Sequence, residues 1–222
     1  MLYAQGSKTK SEIQMKLKYY TIILLGVLVI SCQEKTRKLP YYKSSDFVPV
    51  WETPQNKSFH KIRPFHLVDQ EGKSFSEKEL DGKITVVDFF FTSCPGICPK
   101  MTNSMSKIQA EFKNDDQIQL VSHSVTPDKD SVPVLAAYAK KKNIQYNKWK
   151  LLTGDKEEIY NLGRKFYFIE EDLGENNDSF IFLHTENFVL IDKTRIIRGI
   201  YNSLDPSSMQ SLVEDIKVLE KE

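Results

Sequence analysis

The sequence predicts an α/β sandwich, a central mixed β-sheet flanked by helices. Three observations carry this. Residues 84–91 are a nearly continuous run of apolar, β-branched and aromatic side chains, as suits a central strand buried on both faces, and Ile118–Val125 reads as a second strand. Between and after such runs, apolar residues recur at helical spacing, as in Met101, Met105, Ile108 and Phe112. The alternation then gives way to two adjacent apolar runs and a last helical stripe, the order of a hairpin followed by a covering helix.

Taken in order, the segment from Ile62 to Phe75 holds two short strands around a Gln70-Glu71-Gly72 turn, an N-terminal edge hairpin. After a turn at Asp81-Gly82-Lys83, Ile84–Phe91 is the central strand. The Met101–Phe112 stripe predicts a helix that begins at the preceding cysteines and ends near Asn114. Ile118–Val125 is the next strand, and Pro133–Lys142 a helix with Val134, Leu135 and Tyr138 on its apolar face. Trp149–Leu152 is a short strand, followed by a helix over Asp155–Phe166 with an acidic first turn. Beyond the acidic segment Glu170–Ser179, Phe180–Asp192 and Ile196–Tyr201 form a hairpin turning at Asp192-Lys193-Thr194. Asp205 caps a terminal helix with Pro206 in its first turn and Met209, Leu212, Val213, Ile216 and Leu219 as its stripe. Together these elements make a thioredoxin-like arrangement.

The chain of 222 residues has material for one ordinary domain and an appendage. Its 31 basic and 30 acidic residues leave a formal charge of +1, so no field of one sign draws in nucleic acid. Recognition is therefore local, and the domain is expected to be monomeric.

The N-terminal segment has the order of an address. Lys16 and Lys18 precede the apolar run Tyr19–Ile30, which has the length of a signal core and falls short of a comfortable bilayer span. The ending Val29-Ile30-Ser31-Cys32 resembles a bacterial lipobox, which makes Cys32 a lipidation site and membrane anchor; the alternative is an uncleaved anchor with an incidental cysteine. Residues 1–14 fit no part of a signal peptide, so Met15 is a candidate start. Residues 1–32 are thus expected to be signal and anchor, 33–60 a tether, and 61–222 the domain. That places the domain on the exported, periplasmic side of a cell envelope.

Cys94 and Cys98 stand where the central strand hands over to a helix, in Thr92-Ser93-Cys94-Pro95-Gly96-Ile97-Cys98-Pro99. Unpaired N–H groups at a helix start favour thiolate, the form that binds metal and attacks disulfides. Soft thiolates select Cu(I) or zinc, and the same pair can close into a structural disulfide. Two sulfurs leave a metal site open, and a third ligand would come from the four histidines. His60 and His66 are expected at the surface or an edge, and His123 as a hydrogen-bonded core residue within Leu120–Val125. His184, after a polar loop and before a strand, is the remaining candidate, which the residues alone leave open.

The succession Val86–Pro99, then Val121–Asp130, then Thr153-Gly154-Asp155 and His184 resembles the SCO/SenC family, from about Ile62 to the C-terminus. The resemblance implies a thioredoxin-fold copper metallochaperone that holds Cu(I) or Cu(II) on Cys94, Cys98 and His184. It also implies a partner, the cytochrome c oxidase subunit carrying the CuA centre. The chain departs from the family pattern at Thr126 and Leu183, where Asp is usual. Asp128 or Asp130 could substitute, though a surface helix cap is the plainer expectation for either; Asp88 could tune a cysteine or pair with Lys100. The rival functions are thiol-disulfide exchange through Cys94 and Cys98, peroxidase chemistry assisted by Thr92, and copper or redox sensing.

Overall fold

The computed structural model describes Met15, Lys18 and residues 37–54, 59–169 and 185–222. Cys32, the apolar run before it, the acidic segment and the stretch from Phe180 to His184 lie outside the described residues. No helix among the described residues is long and apolar enough to cross a membrane.

Seven strands form one sheet in the order β2-β1-β5-β4-β3-β6-β7. They are β1 (His66–Asp69), β2 (Ser74–Ser76), β3 (Ile84–Phe90), β4 (Ile118–Ser124), β5 (Trp149–Thr153), β6 (Asn187–Ile191) and β7 (Ile197–Asn202). The sheet is mixed: β3 runs parallel to β4 and antiparallel to β6, and β4 runs parallel to β5. Every residue of β3 is buried, as its unbroken apolar pattern requires. The β1–β2 hairpin forms one edge, with Gly72 at φ 77° supplying the left-handed residue of its turn.

The helices are α1 (Cys98–Glu111), α2 (Val132–Lys141), α3 (Lys156–Asn161) and α4 (Pro206–Leu219). Met101, Met105 and Ile108 of α1 join Leu212, Ile216 and Leu219 of α4 and Leu135 of α2 in one core cluster, against Val86, Phe90 and Leu120 of the sheet. A second cluster packs Ile159, Leu162 and Tyr167 against Val87, Phe89, Val121 and Val189. Alternate residues of β3 thus feed two cores, one per face.

Three details differ from the sequence reading. Val134 is exposed, and Leu135 with Ala139 forms the buried face of α2. The helix expected over Asp155–Phe166 changes after Asn161 into a π-helical turn, Leu162–Phe166. The compact unit begins at Lys38, so it takes in residues assigned above to the tether. Leu39 is buried, Tyr42 pairs with Ile197, and Arg198 donates to the carbonyls of Leu39 and Pro40.

Candidate metal and thiol site

β3 ends at Phe90, and its parallel pairing continues one step further as the Val125 N–H donates to the Phe90 carbonyl. The chain then turns, with the Cys94 N–H bonded to the Phe91 carbonyl at 3.3 Å, and enters α1 at Cys98. Pro99 sits in the first turn of α1, where its missing N–H costs nothing. No side chain of the preceding Ile97 caps this helix. The amides around the start of α1 instead act on the Cys94 thiol. Burial alone would raise its pKa, but the N–H of Cys98, the Cys98 thiol and the N–H groups of Gly96 and Ile97 outweigh it and hold Cys94 below the ordinary thiol value.

Cys98 is the opposite case. Burial pushes its thiol up to about 12 despite a hydrogen bond from the Phe91 backbone, with the Cys94 thiol and the Cys94 and Asp88 charges adding to the rise. The site therefore pairs a partly exposed thiol biased toward thiolate with a buried thiol held in its protonated form; both cysteines are free. They share a cavity of about 330 Å³ whose walls include Phe89, Phe91, Ile97, Met101, Val125 and Thr185.

Beneath the pair, Asp88 is buried and accepts a short hydrogen bond from the Ser122 hydroxyl, which in turn accepts from the Trp149 indole N–H. Burial raises its pKa to about 7, against that hydrogen bond. It thus acts on Cys98 by charge, the first of the two roles expected for it.

Asp130 is no surface cap. It is fully buried, and its carboxylate accepts from the Thr92 N–H at 3.2 Å, the Thr92 hydroxyl at 2.5 Å, the Ser124 hydroxyl at 2.6 Å and the Thr126 hydroxyl at 3.1 Å. The Thr92 hydroxyl therefore donates its hydrogen bond to Asp130. Sequence reasoning undervalued this residue because only the fold brings Thr92 within reach.

His123 is in the core as expected, but without the expected hydrogen bond: among the described residues neither ring nitrogen has a partner. The ring stacks on Phe89 at 4.9 Å, and burial lowers its pKa to about 3. His60 is half-buried, its Nε2 bonded to the Phe166 carbonyl, and His66 is exposed on β1. Neither stands among the residues lining the thiol cavity. His184 lies outside the described residues. Its neighbour Thr185 lines the cavity with both cysteines. Among the described residues no three His, Cys, Asp or Glu side chains form a metal-holding group, and Cys94 and Cys98 are the two sulfurs that line the cavity.

Comparison with known proteins places this geometry. A solved SCO1/SenC family lipoprotein from Bacillus anthracis is 32% identical with a TM-score of 0.64, covering 72% of this chain and 95% of its own. BsSco, described as a member of the Sco family of cytochrome c oxidase assembly proteins with a disulfide switch, is 28% identical at a TM-score of 0.62, covering 76% and 96%. Arabidopsis thaliana ScoI, solved with copper bound, is 28% identical at a TM-score of 0.55, covering 70% and 97%. The profile of the SCO1/SenC family matches residues 53–220, so the chain belongs to that family.

Proposed function

We propose that the protein is a copper metallochaperone that takes up copper on Cys94, Cys98 and His184 and delivers it to the CuA site of cytochrome c oxidase. In this reading a lipidated Cys32 holds it to the membrane, with the domain on the exported side of the envelope. The observation that carries the proposal is the pair of thiols of unequal acidity facing one cavity, edged by the residue that follows His184. The copper-bound structure of a relative supports copper as the cargo.

The chemistry fits a carrier. Soft sulfurs suit Cu(I), and an imidazole helps retain Cu(II). Cys94 is biased toward the ligating thiolate, whereas Cys98 gives up a proton on loading and regains it on release. That returning proton favours release, so ligand exchange with an acceptor can proceed one ligand at a time.

The same asymmetry supports a second reading, reduction of an acceptor's cysteine pair. The Cys94 thiolate would attack the acceptor's disulfide to form a mixed disulfide, and Cys98, its proton passing to the departing acceptor thiolate, would attack the Cys94 sulfur, leaving the acceptor as a dithiol and Cys94–Cys98 as a disulfide. Copper titration, followed by sulfur-to-copper absorption, in Cys94→Ala, Cys98→Ala and His184→Ala variants separates the two. Loss of one-to-one binding in all three supports the carrier. Binding indifferent to His184, alongside rapid disulfide reduction, replaces it with the redox reading.

A further inference from the structure

We propose that Asp130 is the positioning residue of the cysteine loop, gripping Thr92 from a mount on β4 and so setting where the Cys94 sulfur stands. The proposal rests on the reading of Cys94 as the working thiol. A carboxylate offers about four acceptor positions. Here the described chain provides four donors, two from Thr92 on the cysteine loop and two from Ser124 and Thr126, at and just beyond the end of β4. Among the described residues no basic side chain forms an ion pair with Asp130.

Burial of such a group is tolerated only when its acceptors are satisfied, and a satisfied buried network holds its members to one arrangement. The geometry makes Asp130 a clamp between strand and loop, not a helix cap: the N-cap position of α2 is Ser131, whose side chain makes no cap bond. Thr92 is held at both its backbone and its hydroxyl, two residues before Cys94. Thr126, where the family pattern has Asp, here supplies a hydroxyl to the same carboxylate.

Two substitutions on the same carboxylate separate positioning from plain stabilisation. Thr92→Val removes one bond on the loop side and leaves Asp130 in place, and Ser124→Ala removes one on the strand side. The full chain in detergent is alkylated with iodoacetamide, and the rate at Cys94 is resolved by peptide mass mapping. The Cu(II) electron paramagnetic resonance spectrum and the Tm are recorded in parallel. Thr92→Val is expected to change the Cys94 rate by about fivefold or more and to alter the copper spectrum, with Thr92→Ser restoring both. Ser124→Ala is expected to stay within about twofold at a comparable loss of Tm. Equal effects of the two substitutions on Cys94, or none from Thr92→Val, overturn the proposal. Alkylation needs no metal, so failure of copper binding with the alkylation contrast intact counts against the carrier reading alone.

Discussion

Replacing His123 by Leu tests the account of the core beneath the thiols. The imidazole is fully buried among Phe65, Phe89 and Tyr167, with ring centroids 6.1, 4.9 and 5.5 Å away, and among the described residues neither nitrogen has a hydrogen-bond partner. Its pKa falls from 6.5 to about 3 because burial disfavours the cation. Between these values the unfolded chain binds a proton that the folded chain refuses, so stability falls as pH falls through the window. At about pH 4.5, two units below the unfolded value, the loss is roughly 3 kcal/mol. Asp88 works in the other direction, since its raised pKa lets the folded chain keep a proton that the unfolded chain gives up above the ordinary 3.8. The net slope of the natural protein therefore mixes both. The informative quantity is the difference between natural protein and His123→Leu, measured by urea unfolding at about pH 7 and pH 4.5. Leu is close in volume and needs no hydrogen bond, so stability at neutral pH should change by less than about 1.5 kcal/mol. The gap between the two pH values should shift by roughly 3 kcal/mol in favour of the variant at the acid end. An unchanged gap would refute the buried, unpartnered histidine.

Further outcomes follow from the other buried groups. Asp88→Asn should flatten the fall of stability with rising pH between about 4 and 7, and should make Cys98 more acidic, both measurable by unfolding and thiol titration. Cu(I) affinity should rise with pH through the neutral range, by up to about tenfold per unit for each proton displaced, as read by competition with a chromophoric chelator. Arg198→Met should cost about 3–5 kcal/mol, because Asp192 would lose its buried cation and Leu39 and Pro40 would lose a donor to their carbonyls. Faster proteolysis within residues 38–54 should accompany that loss.

Much of this was legible because some segments carry one dominant signal. Ile84–Phe90 has no polar alternation, and only a strand covered on both faces satisfies it. Met101, Met105 and Ile108 recur at helical spacing and all fall in the core. Asp205 and Pro206 mark the start of α4, where the cap bond to the Ser207 N–H forms. Legibility failed where tertiary contact decides. Val134 and Leu135 are equally apolar, and only the orientation of α2 exposes one and buries the other. The lead-in at Leu39 joins the fold through Arg198, a partner 159 residues away. Asp130 reads locally as a surface helix cap because its main donor, Thr92, is 38 residues distant. The cysteines were found from spacing alone, but their unequal acidity depends on burial that no local pattern states.

The Arg198 guanidinium has a topological consequence. It holds the Leu39 and Pro40 carbonyls on one side and the Glu222 carboxylate on the other, so the two ends of the folded unit meet at one side chain. That meeting point lies by the β6–β7 turn, where Gly82, just before β3, bonds to Lys193, whereas the thiols lie past the other end of β3. Joining Glu222 to Lys38 by a short linker and reopening the chain at the Gly72 turn should thus yield a circular permutant with an unaltered thiol cavity. A bulky fusion at the C-terminus would crowd the lead-in and leave the thiol end of the sheet open.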